Sequence, residues 1–203
     1  VAIKDLDAVA VMVQTVLEEK RGNPGDDHLS WLVQQEAEGL LNPEESALFA
    51  NCLAFAGVDA TVNLLGNGTG LLARFPDQRA KLIAQPDLLD GAIEEMLRVE
   101  APAQGLPRRL TEDLALHGTI IPAGEEISLM FAAANHDPAH YPDPGSFDIE
   151  RQNKDHLAFG FGLHKCIGQH LARIEARAYF PRLLQDFPNY DIVESRWRLS
   201  HWA

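Results

Sequence analysis

One long apolar stretch constrains the fold of this chain more than any other feature. Residues 42–45 (Asn-Pro-Glu-Glu) are typical of a helix start, because Asn caps, Pro suits the first helical position and acids favour the first turn. The helical pattern continues to about Arg74, which predicts a long central helix over about 43–74, with a length of roughly 46 Å. Its middle, residues 47–65, is apolar on nearly every side. Such a helix is expected to lie deep in a large fold.

The rest of the chain predicts a mainly α fold with small β-sheets. Shorter helices are expected on both sides of the long one. Residues 110–129 alternate in short runs broken by Gly and Pro, which is typical of small strands joined by turns. Residues 135–156 form a long polar stretch, and loops of that length are usually functional. A last helix is predicted over about 167–186, ahead of Pro188.

The charge pattern excludes some classes of protein. The 203 residues carry a net charge of −13, which argues against a protein that coats nucleic acid. We expect no membrane segment, because no run of 18 or more apolar residues is free of charge. Residues 1–150 hold 9 basic and 25 acidic side chains, whereas residues 151–203 hold 8 basic and 5 acidic. The basic end is expected to dock an acidic partner.

The two cysteines lie in different settings. Cys52 falls in the apolar helix and is expected in the core. Cys166 follows the glycine-rich segment 159–165 at the point where a helix should begin. A helix N-terminus favours thiolate over thiol, and a soft thiolate suits iron. With no Cys or His cluster nearby, such a metal would bring most of its ligands, as haem iron does. A redox-active thiol and simple packing remain open.

Residues 159–168 (Phe-Gly-Phe-Gly-Leu-His-Lys-Cys-Ile-Gly) resemble the haem-binding loop of the cytochrome P-450 superfamily, Phe-Gly-x-Gly-x-His-x-Cys-x-Gly, at every fixed position. The resemblance implies haem b with Cys166 as the axial thiolate. It implies that Phe159 packs beside the sulfur and that His164 meets a haem propionate. Gly160 and Gly168 are the motif glycines that let the loop lie against the cofactor.

Two further motifs agree with this resemblance. Glu95 and Arg98 match the Glu-x-x-Arg pair of the family, which implies a structural ion pair between side chains that share a helix face. The family usually adds an Arg directly before Phe147, where this chain has Ser146, so the triad is either incomplete or completed by a backbone carbonyl or a nearby His. Arg108 matches the arginine of the Pro-x5-Arg stretch, which implies a second propionate contact.

Residues 56–61 (Ala-Gly-Val-Asp-Ala-Thr) resemble the oxygen-binding groove of the family. The resemblance implies that Ala56 and Gly57 border the haem and that Asp59 relays protons to bound dioxygen. The family most often has Thr or Ser directly after the acid, but this chain has Ala60, and Thr61 lies about 100° further round the helix. Whether Thr61 replaces the missing hydroxyl stays open.

The resemblance covers essentially the whole chain and only the C-terminal portion of the family's catalytic domain. It therefore implies a fragment, residues 1–203, without the N-terminal half, and we expect poor stability or loose haem binding from it alone. The implied activity is a cytoplasmic haem-thiolate monooxygenase that uses dioxygen, a small organic substrate and electrons from NAD(P)H through a ferredoxin or similar donor. That donor is expected on the thiolate side, at the basic residues Lys165, Arg173, Arg177 and Arg182.

Alternatives stay open at this stage. One alternative is a haem-thiolate enzyme that uses peroxide directly, in line with the missing hydroxyl at Ala60. Another is an inactive haem-binding fragment. A thiol redox protein is disfavoured because no second cysteine lies near Cys166.

Overall fold

The structure, a computed structural model, describes residues 3–193. This part of the chain folds into α-helices with a few short strands, in agreement with the predicted fold class. The helices are α1 (Ile3–Gly22), α2 (His28–Ala37), α3 (Pro43–Ala56), α4 (Asp59–Arg74), α5 (Pro76–Ala84), α6 (Leu89–Val99), α7 (Phe131–Asn135) and α8 (Gln169–Asp186). The strands are β1 (Leu106–Arg109), β2 (Leu114–Leu116), β3 (Thr119–Ile121) and β4 (Glu126–Leu129).

The chain divides into two compact units, residues 1–59 and residues 60–203. In the first unit, α1, α2 and α3 pack on one another around a small core of Val13, Leu17, Leu32, Ala47 and Ala50. Local signals set the helix starts. Asp27 caps α2 by accepting the Ser30 N–H, and Asn42 forms a capping box with Glu45 ahead of α3.

The second unit contains the larger core, in which α4, α6 and α8 bring their apolar faces together. Gly68 is the point of closest approach, because a Cβ there would lie 2.4 Å from Phe180 and 2.7 Å from the Met96 sulfur. The core members are Leu64, Leu71, Leu72, Leu82, Ala92, Ile93, Met96, Leu97, Phe147, Ile149, Ala176, Phe180 and Leu184. The helix predicted over about 167–186 is present as α8.

The strands form two small antiparallel sheets. β1 pairs with β4, placing Arg108 opposite Ile127, and β2 pairs with β3. The turn between β2 and β3 is His117–Gly118, where both residues have positive φ, 47° and 80°. The predicted small strands over 110–129 are therefore present, and β1 lies just before them.

The long apolar stretch differs from the prediction in two respects. It forms two consecutive helices, α3 and α4, because the regular pattern is interrupted at a turn formed by Gly57 and Val58. Its middle is also only partly buried: Ala47, Ala50 and Leu64 lie in the cores, whereas Leu48, Val58 and Val62 are each more than 60% exposed. Cys52 is exposed as well, so the expectation that it lies in the core was wrong.

The helical stretch Pro43–Arg74 is long and apolar enough to cross a membrane by length and composition alone. The expectation of no membrane segment rested on a stricter rule, an unbroken apolar run free of charge. Core helices of soluble proteins meet the same length and composition test, so this finding is weak evidence for a membrane span.

Candidate functional site

The loop of residues 159–168 is folded back on itself ahead of α8. Its first turn depends on Gly160 and Gly162, whose φ angles of 67° and 73° lie in the left-handed region that strains other residues. The Lys165 N–H donates to the Gly162 carbonyl at 3.0 Å, and the Cys166 N–H donates to the Phe159 carbonyl at 2.9 Å. The backbone of Cys166 is therefore held directly against that of Phe159.

Cys166 presents an exposed thiol just before a helix. α8 begins at Gln169 with Gly168 as its N-cap, so the cysteine lies three residues ahead of the first helical residue. A Cβ on Gly168 would stand 3.8 Å from the Cys166 sulfur, which is ordinary van der Waals contact. The glycine therefore leaves the side of the sulfur that faces it free of a side chain.

The surroundings of the thiol fit a flat, largely apolar group that carries its own metal. Phe161, Leu163 and Ile167 flank Cys166 in sequence and are 85%, 97% and 78% exposed. Within residues 3–193, no group of three or more His, Cys, Asp and Glu side chains is placed to hold a metal ion. A metal at Cys166 would therefore receive one protein ligand from this region and would need to bring the others, which is the donor set of a haem iron.

The predicted propionate partners lie at different places. His164 is exposed in the short 3₁₀ turn Gly162–His164. Arg108 is half-buried in β1 and donates from Nη1 to the neighbouring Pro107 carbonyl at 2.8 Å, and within residues 3–193 its other donors form no hydrogen bond. Both side chains carry the donors that a carboxylate needs, and their roles stay predictions.

Sequence reasoning missed the cluster beneath Phe159. The guanidinium carbon of Arg173 lies 4.5 Å from the centre of the Phe159 ring, and Arg173 forms a two-point ion pair with Glu94, at 2.7 and 2.8 Å. His156 Nε2 lies 3.0 Å from the same carboxylate. Burial opposes ionisation of Glu94, but the hydrogen bonds from Arg173 and His156 outweigh it and lower its pKa to about 2. Each partner is ordinary in sequence, so no motif marks the cluster.

Glu95 and Arg98 form a buried two-point ion pair, with N–O distances of 2.8 Å and side chains that are 3% and 1% exposed. Arg98 also donates to backbone carbonyls in the long polar stretch, those of Asn135, Pro144 and Ser146, at 2.8–2.9 Å. Its cation thereby ties α6 to three separate points of that stretch. The ion pair is fully buried, in contrast to the solvated pair that an isolated i, i+3 spacing suggests.

Arg151 supplies a second guanidinium to Glu95, and no sequence motif marks this contact. Its Nε donates to Glu95 at 3.0 Å, while its Nη2 donates to the Ser146 hydroxyl at 2.8 Å. Ser146 stands where the family usually has an Arg. The position is therefore served by Arg151, which reaches back from five residues further along the chain and uses the serine as a hydrogen-bond acceptor.

The residues predicted for the oxygen side surround the turn between α3 and α4. Ala56 is the last residue of α3, Gly57 is its C-cap, and Asp59 is the first residue of α4; all three are exposed. Thr61 lies two residues further on and is half-buried. Since the first three belong to the unit of residues 1–59 and the Cys loop belongs to the other unit, their common role at one site stays a prediction.

Comparisons of the sequence with a family model and with curated proteins indicate the same family. Residues 7–190 match the family model described as Cytochrome P450. The chain is 41% identical over 188 residues to a steroid C26-monooxygenase of Mycolicibacterium smegmatis and 45% identical over 177 residues to the cytochrome P450 monooxygenase PikC of Streptomyces venezuelae. These alignments cover 92% and 86% of this chain but 47% and 42% of the relatives.

A solved structure extends the comparison to the fold. The tirandamycin C-bound P450 monooxygenase TamI matches with a TM-score of 0.91 at 40% identity, covering 96% of this chain and 50% of that chain. The chain thus spans about half the length of the proteins it matches.

Proposed function

Since the chain belongs to the cytochrome P450 family, we propose that it is part of a haem-thiolate monooxygenase in which Cys166 is the axial ligand. The observation that supports this most directly is the folded loop that presents an exposed Cys166 thiol among exposed apolar side chains. When bound, haem supplies the site of dioxygen activation, and a thiolate ligand donates electron density that favours O–O cleavage.

Several residues of this chain would hold that group, each through a different contact. Cys166 provides the thiolate, and the Phe159 carbonyl fixes the cysteine backbone by accepting its N–H. The apolar side chains of Phe161 and Ile167 would lie against the bound group and exclude water from the sulfur. Arg108 and His164 would bind its two propionates through charge-assisted hydrogen bonds and so orient it.

The overall reaction consumes dioxygen, two electrons and two protons, breaks the O–O bond and a substrate C–H bond, forms a C–O and an O–H bond on the substrate and releases one water. Asp59 delivers the protons: it lies in the first turn of α4, exposed, directly after the Gly57–Val58 turn. Asp59→Asn should uncouple dioxygen consumption from product formation, because the amide does not exchange a proton at this step. Unchanged coupling, measured as product formed per dioxygen consumed, would remove Asp59 from this role.

The electron donor is proposed to be a ferredoxin or a similar acidic protein that approaches the thiolate side, with NAD(P)H as the electron source. Three of the four cations expected to attract it are engaged locally: Arg173 with Glu94, Arg177 with Asp90, and Arg182 with Asp186. Lys165 forms no ion pair within residues 3–193 and is exposed beside the cysteine.

Lys165→Glu is therefore the sharper test of docking. It should slow reduction by the donor, and the effect should shrink as salt is added. Arg182→Glu is the matched control, because it makes the same charge change in the basic end of the chain at an arginine that is paired within its own helix. Equal effects of the two variants would indicate that only net charge matters.

The substrate is proposed to be a small apolar or amphiphilic organic molecule, a class that includes the steroid in the name of the Mycolicibacterium smegmatis relative. A cytoplasmic location is proposed because the Cys loop follows closely after the long polar stretch, as in soluble bacterial members of the family, and the matched relatives are bacterial proteins. Fractionation of cells that express the protein tests the location, and recovery in the membrane fraction would contradict it.

A peroxide-using haem-thiolate enzyme is the second candidate, and Ala60 favours it, since the position after Asp59 lacks a hydroxyl. Product formation with hydrogen peroxide and no reductase, at a rate that matches or exceeds the reductase-driven rate, would select it. Failure to form product by either route, with haem bound, would indicate an inactive haem-binding chain.

The experiment that tests the proposal itself is the spectrum of the reduced carbon monoxide complex. The haem-loaded protein should give the thiolate-type spectrum, and Cys166→Ala should abolish it. Cys52→Ala is the matched control, because it removes the other exposed thiol. A thiolate-type spectrum that survives Cys166→Ala would refute the assignment of the ligand.

A further inference from the structure

Phe159 connects Cys166 to the side chains beneath the loop. Its carbonyl accepts the Cys166 N–H at 2.9 Å, so the backbone position of the cysteine depends on where Phe159 sits. Its ring packs against the main core, and the guanidinium carbon of Arg173 lies 4.5 Å from the ring centre. A guanidinium over an aromatic face is attracted by the ring, and the attraction grows as water is excluded.

The orientation of Arg173 is fixed by three further contacts. Nε and Nη2 donate to the two oxygens of Glu94, and Nη1 donates to the Gln169 carbonyl at 3.0 Å. A planar guanidinium bound at three nitrogens cannot rotate without breaking a hydrogen bond. Its face is therefore held over the Phe159 ring.

His156 contacts the same carboxylate, at the oxygen that also accepts from Arg173 Nη2. The Ala158 N–H donates to His156 Nδ1 at 3.2 Å, so that nitrogen carries no proton and Nε2–H is the donor to Glu94 at 3.0 Å. The His156 side chain is 3% exposed, and its ring centre lies 5.9 Å from that of Phe159. Glu94 thus positions two of the side chains that pack on the Phe159 ring, those of Arg173 and His156.

We propose that Arg173 is a positioning residue for the Cys166 loop. Anchored by Glu94, it holds the Phe159 ring, and through the Phe159 carbonyl it fixes the Cys166 backbone in the geometry that presents the sulfur. The consequence for haem rests on the proposed function, in which Cys166 is the axial ligand. The positioning of the loop itself does not depend on haem.

Two simpler roles make different predictions. A docking cation acts through free charge, but the charge of Arg173 is matched by Glu94 in a pair whose side chains are about one-fifth exposed. A plain ion pair between α6 and α8 acts through stability alone. Exchanging the two charges would preserve such a pair, whereas it would place a carboxylate against the negative face of the Phe159 ring.

The first measurement is hydrogen exchange of the Cys166 amide in the full chain without haem, followed by NMR or in the peptide that covers residues 159–168. Arg173→Gln should accelerate this exchange by about 2-fold to 30-fold, the range expected for loss of a cation–π contact. Arg177→Gln is the matched control: it makes the same charge change one turn later on α8, where the arginine pairs with exposed Asp90. It should leave the Cys166 exchange rate unchanged.

The second variant keeps the test decisive if Arg173→Gln unfolds the chain. The exchanged pair Glu94→Arg with Arg173→Glu should recover most of the melting temperature and still leave the Cys166 amide in fast exchange. Recovery of both properties would overturn the proposal in favour of a plain ion pair. An Arg173→Gln rate equal to that of the Arg177→Gln control would also overturn it.

The haem-loaded protein gives an independent readout. Arg173→Gln should reduce the fraction of the carbon monoxide complex that shows the thiolate-type spectrum, whereas Arg177→Gln should not. If the unmodified protein shows no thiolate-type spectrum at all, the proposed function fails, and the amide exchange without haem still decides the role of Arg173. A normal spectrum in Arg173→Gln, together with unchanged amide exchange, refutes the positioning role alone.

Discussion

Replacing Arg151 with alanine tests how this chain maintains the buried network around Glu95. Arg151 is 11% exposed at its side chain and donates to Glu95, to the Ser146 hydroxyl and to the Pro142 carbonyl. The substitution removes all these donors at once. It leaves Glu95 with the two hydrogen bonds from Arg98 and the Asp148 N–H.

The contacts that remain set the size of the effect. A hydrogen bond between charged groups contributes about 1.5–3 kcal/mol, and the carbonyls freed near the surface regain water. Stripping a buried charge of its partner costs about 3–5 kcal/mol, but Glu95 keeps Arg98. Arg151→Ala should therefore lower the free energy of unfolding by about 2–3 kcal/mol. Arg98→Ala should cost more, because it removes both hydrogen bonds of the fully buried ion pair with Glu95 and leaves three backbone carbonyls without this donor.

The assay is denaturant unfolding of the full chain followed by circular dichroism. Arg182→Ala is the control, because Arg182 is 72% exposed at its side chain and pairs only within its own helix, so the free energy of unfolding should hardly change. A loss below about 1 kcal/mol for Arg151→Ala would refute the inference that Arg151 serves the position held by Ser146. Equal losses for Arg98→Ala and Arg151→Ala would refute the ranking.

Two further outcomes are expected. Because the pKa of Glu94 is lowered from 4.5 to about 2, its contribution to stability is present above the unfolded value and is lost as pH falls from about 4.5 towards 2. Acid unfolding of Glu94→Gln should lack that part of the stability loss. An acid-unfolding curve equal to that of the unmodified protein would contradict this expectation. Gly68→Ala should destabilise the protein by about 1–3 kcal/mol despite the better helix propensity of alanine, because its Cβ would overlap the fully buried Phe180 and Met96. A higher melting temperature would show that these neighbours yield. Gly66→Ala is the control, because a Cβ there meets nothing within 4 Å.

The family motifs were readable from the sequence because each is local. Segment 159–168 carries its glycines, cysteine and histidine at fixed spacings, and Glu95 with Arg98 lie one helical turn apart. Helix starts were likewise local, as at Asn42, where cap and box residues lie within four positions. The uninterrupted helix over 43–74 was wrong in detail, because apolar periodicity does not report a single turn at Gly57 and Val58.

The sequence by itself determined the fold class, the family and the cysteine loop, since these depend on periodicity and short spacings. Only the tertiary structure showed that Arg151 serves Glu95 across 56 positions and that Arg173 reaches Glu94 across 79. It also showed that Arg173, expected from the sequence as a docking cation, lies against the Phe159 ring. The physical reason is that a charged side chain takes its role from the partner it meets, and partners far apart in the chain are brought together only when α6, α8 and the long polar stretch pack.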